Sequence, residues 1–335
     1  MQNQAITKSN APGKTIIMIA AFAAVYLIWG STYLAMKFAI ETLPSFLMAG
    51  TRFLIAGIVL LIWARLSADY ERPKLVHWRT SLIVGGLLLL GGNGGVVIAQ
   101  HYLPSSLTAL LIATEPFWIV LISWLFMGAS RPNLKVILGL LVGFVGVSLL
   151  ISGRGLALGD GNGQIFGVGL IIFSTIAWAS GSLYGLRAPS PKSSLLAAGM
   201  QMVSGGILLI LLGIITGEWQ SFKFANVSVN SWIAFGYLAI FGSLIGFTAY
   251  SWLLKNVEPS LASTYAYVNP VIAVILGWAI AGESLSGQML VGAGVIIGSV
   301  VLITSHHKEK DVPEEIEIHE SQIPPGSCKP VSASA

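Results

Sequence analysis

The sequence predicts an all-α integral membrane protein in which ten transmembrane helices form two inverted five-helix repeats, with both termini in the cytoplasm. Three observations lead to this prediction. Hydrophobic residues occupy 55% of the 335 positions and charged residues only 10%, whereas roughly a quarter of an ordinary soluble protein is charged. Five long apolar segments fill residues 14–152, and five more with matching landmark residues fill residues 163–304. Lys and Arg are concentrated in alternate loops between these segments.

Each apolar segment is long enough to cross a bilayer. A hydrocarbon core of about 30 Å needs about 20 apolar residues in a helix, because each residue rises about 1.5 Å. Short connections rich in Pro, Gly and charged residues separate the segments. The predicted spans are residues 14–36, 44–65, 79–100, 104–127, 134–152, 164–186, 194–216, 230–253, 260–281 and 287–304.

The two halves carry the same landmark residues at an offset that drifts from 149 to 154. Five is an odd number, so a second copy that begins after five crossings starts on the opposite side of the bilayer. The copies are therefore expected to be inverted relative to each other. The matched positions are Trp29 with Trp178, Ser31 with Ser180, Gly50 with Gly199, Gly57 with Gly206, Pro116 with Pro270, and Gly128 with Gly282.

The distribution of Lys and Arg orients the chain, since cytoplasmic loops retain these residues. With the N-terminus inside, fourteen Lys and Arg residues lie in cytoplasmic segments, and only Lys37, Arg154 and Lys223 lie in external loops. Repeat-equivalent loops also differ in charge, because the loop after the fourth span carries Arg131 and its counterpart carries Glu283. Opposite charge character in equivalent loops is what inverted copies require.

Four regions follow from this topology: a cytoplasmic N-terminus at 1–13, the repeats at 14–152 and 163–304, and a cytoplasmic tail at 305–335. The tail is charged and has too few apolar residues to fold alone, so we expect it to be disordered. His306-His307 lies in this tail. No third ligand is spaced for a closed metal site, so we predict a membrane-surface tail and no bound metal.

Composition argues against several classes of function. The net charge is +4, but the basic residues sit in short loops and not along one face, so we expect no nucleic-acid partner. The predicted spans hold no His pair, no paired carboxylates and no Cys, the one cysteine being Cys328. The glycine-rich residues 91–95 lie in mid-span and cannot form a phosphate-binding loop between a strand and a helix. We therefore expect neither an enzyme nor a cofactor.

Two ionisable residues fall inside predicted spans, Arg52 in the second and Glu115 in the fourth. Charges at this depth are costly and normally face a partner or a water-filled cavity. Their repeat counterparts, Gln201 and Asn269, are neutral but polar. One hypothesis makes Glu115 a proton-coupling group or a substrate contact. The alternative is that Arg52 and Glu115 neutralise each other as a structural pair, or that the Arg52 side chain reaches toward the membrane surface.

Prolines and aromatic residues mark a shared centre between the copies. A proline in mid-membrane kinks a helix and frees a backbone carbonyl, so Pro116 and Pro270 are predicted hinges, with a packing kink as the alternative. Trp29 and Trp178 are each followed two residues later by a serine, and Tyr265 lies shortly before Pro270. Aromatic, small and hydroxyl groups together suit a mostly apolar binding pocket. The alternative is that these rings only pack.

These residues resemble a known family. Residues 26–57, "YLIWGSTYLAMKFAIETLPSFLMAGTRFLIAG", and 260–286, "SLASTYAYVNPVIAVILGWAIAGESLS", are similar to the EamA branch of the drug/metabolite transporter superfamily and most similar to its YedA-type inner-membrane exporters. A weaker match is "ISWLFMGASRP" at 122–132. The usual Gly-Glu of the family is present as Gly282-Glu283, whereas the first repeat has Gly128-Ala129.

The resemblance implies a central cavity lined by spans one, three, four, six, eight and nine. It also implies export of small metabolites, amino acids included, or of toxic compounds, often in exchange for protons. Carried onto this chain, the predicted cavity residues are Trp29, Ser31, Asn93, Glu115, Trp178, Ser180, Tyr265 and Asn269.

The leading hypothesis is a bacterial inner-membrane, multi-pass secondary transporter, expected to be a monomer. It would export small organic metabolites, amino-acid-like or drug-like, by alternating access around a midplane cavity, with protons as the second partner if Glu115 couples transport. Two alternatives belong to other classes. A lipid-modifying membrane enzyme would need a reactive cluster near an interface, and a non-transporting sensor or assembly subunit would have a tightly filled centre.

Overall fold

A computed structural model describes residues 12–67, 70–128, 131, 134–152, 161–257 and 265–310. The described part of the chain is helical and contains no strand. Seven of its helices are long and apolar enough to cross a membrane, which confirms the all-helical membrane class. They are Thr15–Ala39, Ser45–Leu66, Leu75–Ala99, Ser105–Phe126, Gly163–Arg187, Ser194–Ile215 and Val229–Leu254, with shorter apolar stretches at Val268–Ala281 and Leu290–Ser299.

We number the long helices of the described residues in chain order and leave the short helix Glu218–Ser221 and the 3-10 turn Phe224–Asn226, both between Ile215 and Val229, unnumbered. In the first repeat they are α1 (Pro12–Ala24, Val25–Trp29 and Gly30–Ala39, continuous), α2 (Ser45–Leu66), α3 (Leu75–Gly85, Gly86–Gly94 and Gly95–Ala99, continuous), α4 (Ser105–Ile112 and Glu115–Phe126) and α5 (Leu134–Ser152). In the second they are α6 (Gly161–Arg187), α7 (Ser194–Ile215), α8 (Val229–Tyr237, Leu238–Phe247 and Thr248–Asn256, continuous), α9 (Tyr265–Ala281) and α10 (Gly287–Lys310).

These bounds refine the predicted spans without settling how many helices cross the membrane, so the count of ten spans stays a prediction. Helix α10 continues to Lys310, six residues beyond the predicted end of its span. Most of the predicted N-terminal segment, residues 1–11, and of the predicted tail, residues 311–335, lies outside the described residues.

Three helices contain π-helical segments, which widen the helix by one residue per turn. They lie at Val25–Trp29 in α1, Gly86–Gly94 in α3 and Leu238–Phe247 in α8. Segments of this kind are frequent at functional sites. Helix α4 breaks instead at Ala113 and Thr114, so Pro116 falls in the first turn of the second half, where a missing backbone N–H costs nothing.

Helices α2 and α7 cross in close contact through glycines of both repeats. A Cβ atom on Gly50 would lie 2.8 Å from the carbonyl oxygen of Gly206, and one on Gly199 would lie 3.1 Å from that of Gly57. Small residues allow such backbone contact between membrane helices. Because Gly50 meets Gly206 while Gly57 meets Gly199, the two helices are antiparallel at the crossing.

The matched glycines after α4 and α9 share a backbone conformation. Gly128 has φ 68° and Gly282 has φ 64°, a left-handed region that side chains disfavour and that commonly ends a helix. Gly128 and Gly282 are equivalent positions in the two repeats, so the fourth helix of each repeat ends at a glycine in the left-handed conformation.

One end of the bundle, which we call the Glu283 end, is joined by polar contacts among loops. The Glu283 carboxylate accepts hydrogen bonds from Lys37 Nζ (2.9 Å) and from the backbone N–H of Ser105 (2.9 Å) and of Ser106 (3.1 Å), with both serine hydroxyls bonding to it as well. These donors lie at the end of α1 and the N-terminus of α4. At the same end, the Glu218 carboxylate accepts the backbone N–H groups of Phe46 and Leu47 at the start of α2.

The opposite end, the Lys192 end, brings the other loops together. The Glu71 carboxylate accepts the backbone N–H of Lys192, two residues before α7 begins. Arg187 at the end of α6 donates from Nη2 to the carbonyl oxygen of Met127, at a distance of 3.2 Å. Glu218 and Glu71 thus lie in equivalent loops of the two repeats, and each contacts the start of the other repeat's second helix.

The Glu283 contacts predict an acid-sensitive contribution to stability. Burial raises the pKa of this carboxyl, but the Lys37 ammonium and the serine donors outweigh burial and lower its pKa to about 2. A carboxyl whose folded pKa lies below the unfolded value of about 4.3 stabilises the fold above that value, and the stabilisation is lost as pH falls toward 2. Its size is on the order of 2–3 kcal/mol, the side chain being 6% exposed.

We expect Glu283→Gln to lower the melting temperature at neutral pH and to flatten its decline between about pH 4.5 and 2. Thermal melting of the purified chain in detergent across this range measures both effects. Glu41→Gln is the matched control, because Glu41 is exposed near the same end. A variant that melts with the wild-type pH profile would show that Glu283 does not stabilise this end.

Candidate functional site

A central cavity lies among α1, α2, α3, α4, α6, α8 and α9. The empty space of the cavity, including solvent space at its open mouth, is about 730 Å³. The lining is mostly apolar and aromatic, with a few hydroxyl, amide and charged groups, which is the usual composition of a small-molecule site. Helices from both repeats contribute to the wall. The set that the family resemblance implies is observed, and α2 adds Arg52 and Phe53 to it.

Arg52 is buried in the cavity wall between π-helical segments of the two repeats. Its side chain is 2% exposed. Nη2 donates to Asn93 Oδ1 at 2.6 Å, and Nη1 lies 3.4 Å from Ser243 Oγ. Its guanidinium carbon lies 4.2 Å from the centre of the Phe53 ring, and Nε has no hydrogen-bond partner among the described residues. Asn93 and Ser243 are 150 positions apart, within the repeat offset, so the two copies supply equivalent partners.

Glu115 is equally buried, at 3% exposure, and begins the second half of α4. Tyr265 donates its hydroxyl to Glu115 Oε2 at 2.8 Å, which joins α4 to α9. In the part of the chain that the structure describes, Arg52 and Glu115 form no ion pair, and the observed ion pair is that of Lys37 with Glu283. The ion pair between Arg52 and Glu115 that the sequence analysis gave as an alternative is therefore not present among the described residues.

Four aromatic rings form a cluster beside Glu115. The Trp29 ring packs against Trp178 (centroids 5.8 Å apart), Tyr250 (4.9 Å) and Tyr265 (5.2 Å), with near-perpendicular planes for Trp178 and Tyr265. Trp29 also donates from Nε1 to the carbonyl oxygen of Gly242 at 3.2 Å. Edge-to-face arrangements of this kind are favourable beyond the area they bury. The repeat-equivalent tryptophans thus meet each other at the centre.

Two glycines make room for these indoles. A Cβ atom on Gly246 would lie 2.6 Å from Trp29 Nε1, and one on Gly92 would lie 2.9 Å from Trp178 Cε3. Both glycines belong to π-helical segments, in α8 and α3. The glycine-rich stretch that is unsuited to phosphate binding therefore has a packing role, since it lets α3 approach the Trp178 ring.

A second cavity lies nearer the Lys192 end, with an empty volume of about 590 Å³ counted in the same way. It lies among α3, α6, α7 and α8, and Phe247 lines both cavities. Gln201, the repeat counterpart of Arg52, lines this second cavity, as do Ser182 and Tyr250. The aromatic cluster therefore lies where the two cavities adjoin. The equivalent residues Arg52 in α2 and Gln201 in α7 line different cavities.

The structure brings together five of the eight predicted cavity residues. Trp29, Asn93, Glu115, Trp178 and Tyr265 line the central cavity, as does Arg52.

The other three predicted residues lie away from the lining, as far as the described residues define it. The Ser31 hydroxyl points to α8 and lies 2.6 Å from Tyr237 Oη, Ser180 is half-buried in α6, and Asn269 is buried in α9 at 2% exposure. Of the predicted hinges, Pro116 follows a break in α4, whereas Pro270 lies within the continuous helix α9.

Several residues in or next to the cavity wall were not predicted. Ser243 could have been found by extending the repeat offset from Asn93. Ser174 and Thr175 precede Trp178 by one helical turn and form part of the wall, a spacing that places them on the same helix face. Tyr250 carries no local signal in the sequence, because its role in the aromatic cluster arises from how α8 packs against α1.

The chemistry available in the cavity is recognition of a small solute. It offers one guanidinium, one carboxylate, several hydroxyl groups and aromatic walls. Within the described residues, no group of three or more His, Cys, Asp or Glu side chains could hold a metal ion. The arrangement can therefore bind an organic molecule through charge and aromatic contact.

The fold defines a multi-pass membrane protein with a cavity between two helical repeats. The family profile described as the EamA-like transporter family matches residues 15–152 and 165–305, so the chain belongs to the EamA-like transporter family. It is 40% identical over 288 residues to the uncharacterized inner membrane transporter YedA of Escherichia coli (strain K12), covering 86% of this chain and 90% of that protein. This likeness and the apolar helices place the chain in the inner membrane.

More distant relatives extend the comparison. The uncharacterized transporter YvbV of Bacillus subtilis (strain 168) is 27% identical over 286 residues, covering 85% of this chain and 91% of the relative. Protein PecM of Dickeya dadantii (strain 3937) is 26% identical over 280 residues, covering 82% and 88%. A solved protein crystal structure aligns with a TM-score of 0.61 at 22% identity, covering 89% of this chain and 99% of that one; this likeness concerns the fold alone.

Proposed function

We propose that this protein is a secondary active transporter that exports small organic metabolites by alternating access around the central cavity. The observation that carries the proposal is the cavity itself. It contains two buried ionisable side chains of opposite sign, Arg52 and Glu115, and is lined by helices of both repeats. Charged residues at membrane depth normally mark a substrate or ion pathway, and secondary transporters typically bind substrate where their repeats meet.

Inversion of the repeats is supported by the contacts between equivalent helices. The crossed contacts of Gly50 with Gly206 and of Gly57 with Gly199 exchange equivalent residues. Such an exchange is expected of a two-fold axis that passes between antiparallel helices. An axis of this kind would lie in the membrane plane and turn one copy upside down relative to the other. The contact of Trp29 with Trp178 is consistent with the same axis.

Alternating access is supported by the two cavities. The central cavity contains Arg52, and the second cavity contains its counterpart Gln201. Under inverted symmetry, the two cavities are the outer and inner halves of one path, with the aromatic cluster of Trp29, Trp178, Tyr250 and Tyr265 between them. The two cavities favour this proposal over a non-transporting sensor or assembly subunit, for which we expect a tightly filled centre.

The predicted orientation places the Glu283 end in the periplasm and the Lys192 end in the cytoplasm. Single cysteines introduced at Glu41 and Lys223 should react with a membrane-impermeant maleimide in intact cells, and cysteines at Lys74 and Lys192 should react only after permeabilisation. Cys328 is replaced by Ser in this background. Labelling of both sets in intact cells, or the reverse pattern, would contradict the proposed topology.

Transport in everted membrane vesicles tests the activity itself. Vesicles that contain the chain should accumulate labelled metabolites against a gradient when a proton gradient is imposed, and vesicles without the chain should not. The panel should contain amino acids, their amine and amide analogues, and lipophilic cations. If no solute accumulates or exchanges in vesicles with correctly folded protein, the proposed function is wrong.

A further inference from the structure

The central cavity contains a guanidinium whose charge no neighbouring side chain neutralises. Arg52 is 2% exposed. Its observed partners, Asn93 and Ser243, are neutral acceptors. A neutral oxygen orients a guanidinium without cancelling its charge, and an uncompensated buried charge is strongly destabilising. Over the described residues, no carboxylate lies within ion-pair distance of Arg52.

The unused donors of Arg52 suit an anion. A guanidinium has five N–H donors in a rigid planar fork. The contacts with Asn93 and Ser243 use one on each terminal nitrogen, and Nε has no partner among the described residues. Two parallel N–H groups match the two oxygens of a carboxylate, which makes this pair both strong and geometrically selective.

The other charged group of the cavity, Glu115, already has a hydrogen-bond partner. Glu115 accepts a hydrogen bond from Tyr265, and the aromatic cluster lies beside it. This side favours an ammonium group or an apolar side chain, since cations are attracted to aromatic faces and to a carboxylate. The cavity therefore has an anion-binding side at Arg52 and a cation-tolerant, aromatic side at Glu115.

We propose that Arg52 forms a carboxylate-binding subsite in the central cavity, so that a solute with a free carboxylate binds in preference to its amide or amine. This inference rests on the proposed function. Asn93 and Ser243 act as positioning residues that hold the guanidinium fork toward the cavity. The positive charge of Arg52 also disfavours a solute that carries only a cation.

Ligand-induced thermal stabilisation of the purified full chain in detergent tests the subsite. The probes are the proteinogenic L-amino acids, the amide and the decarboxylated amine of each, and inorganic phosphate. For the amino acid that stabilises most, the acid should bind at least tenfold more tightly than its amide. In Arg52→Gln this ratio of acid to amide affinity should fall to about one. Arg65→Gln, on the same helix but near its end, is the matched control.

A second variant distinguishes loss of the carboxylate contact from a folding defect. Arg52→Lys keeps the charge but loses the planar fork, so its acid-to-amide ratio should fall between those of the wild type and of Arg52→Gln. The inference is overturned if no amino acid stabilises the wild type, if amides or amines bind as tightly as acids, if phosphate alone stabilises, or if the ratio survives in Arg52→Gln. Transport of amines or amides in vesicles would then leave the proposed function standing, whereas absence of any transport would remove both.

Discussion

Gly206→Val is expected to destabilise the packing of the two repeats against each other. A Cβ atom at this position would lie 2.8 Å from the backbone nitrogen of Leu54 and 2.9 Å from the carbonyl oxygen of Gly50. Both are backbone atoms of α2, so relief requires α2 and α7 to separate along the crossing. Overpacking of a well-packed core costs about 1–3 kcal/mol, and a branched side chain against backbone should lie at or above the upper end of this range.

The expected result is a severalfold loss of monodisperse protein and a melting temperature lower by at least about 5 °C, measured by fluorescence-detected size exclusion and thermal melting in detergent. Gly169→Val is the matched control, because a Cβ atom at Gly169 in α6 would have no neighbouring atom within 4 Å. Equal behaviour of the two variants would show that the crossing is not closely packed.

A pair of alanine variants tests the same contact more finely. Gly50→Ala and Gly206→Ala each force the same two helices apart, so the double variant should be less destabilised than the sum of the singles. Gly169→Ala combined with Gly206→Ala should be additive, because the two positions share no contact. Strict additivity of Gly50 and Gly206 would argue against the crossed contact.

Much of the bundle was predictable, because apolar length and repeat spacing report directly on helices in a membrane. Seven predicted spans are confirmed as long apolar helices, and five predicted residues line the cavity. Two of the three predicted residues that lie away from the lining do so for the same physical reason. Ser31 and Ser180 follow the tryptophans by two residues, and residues two apart on a helix do not share a face. The sequence pattern grouped them, but the helix turns them away from the ring.

The π-helical segments could not be predicted, since they depend on tertiary contacts. Asn93 and Ser243 each lie in such a segment, and the extra residue per turn alters which side chains reach Arg52. The glycine-rich sequence of α3 permits the distortion, but α8 has the same distortion with fewer glycines. The structure was also needed to show that Arg52 and Glu115 have separate partners, because the sequence does not give the distance between side chains on two different helices.

Glu115 is held by Tyr265 and not by Arg52, and this leads to the second prediction, a loss of proton coupling when Glu115 is replaced. Glu115→Gln is expected to lose at least 90% of the solute accumulation that a proton gradient drives in everted vesicles, while solute exchange without a gradient changes less than about threefold. A glutamine keeps an oxygen that can accept the Tyr265 hydrogen bond, but it cannot take up a proton. The substitution therefore removes protonation and preserves the contact between α4 and α9.

The physical reason is the cost of an isolated charge in this cavity. A buried carboxylate is tolerated when a cation or hydrogen-bond donors offset it, and otherwise it takes up a proton. Tyr265 supplies one donor, and Arg52 has partners of its own. An ammonium group of a bound solute would stabilise the carboxylate, and departure of that solute would favour protonation. Solute and proton would then occupy the site in turn, as exchange requires.

Two comparisons separate coupling from a general defect. Glu41→Gln removes an exposed carboxylate and should transport like the wild type. Tyr265→Phe removes the donor while leaving the Glu115 carboxyl able to titrate, so it should shift the pH dependence of transport and retain proton-driven accumulation. If folded Glu115→Gln still accumulates solute on a proton gradient, Glu115 is not the coupling group. Because the structure describes no second carboxylate in the cavity lining, coupling would then have to arise outside the central cavity, and the asymmetry between Glu115 and Asn269 would serve solute recognition instead.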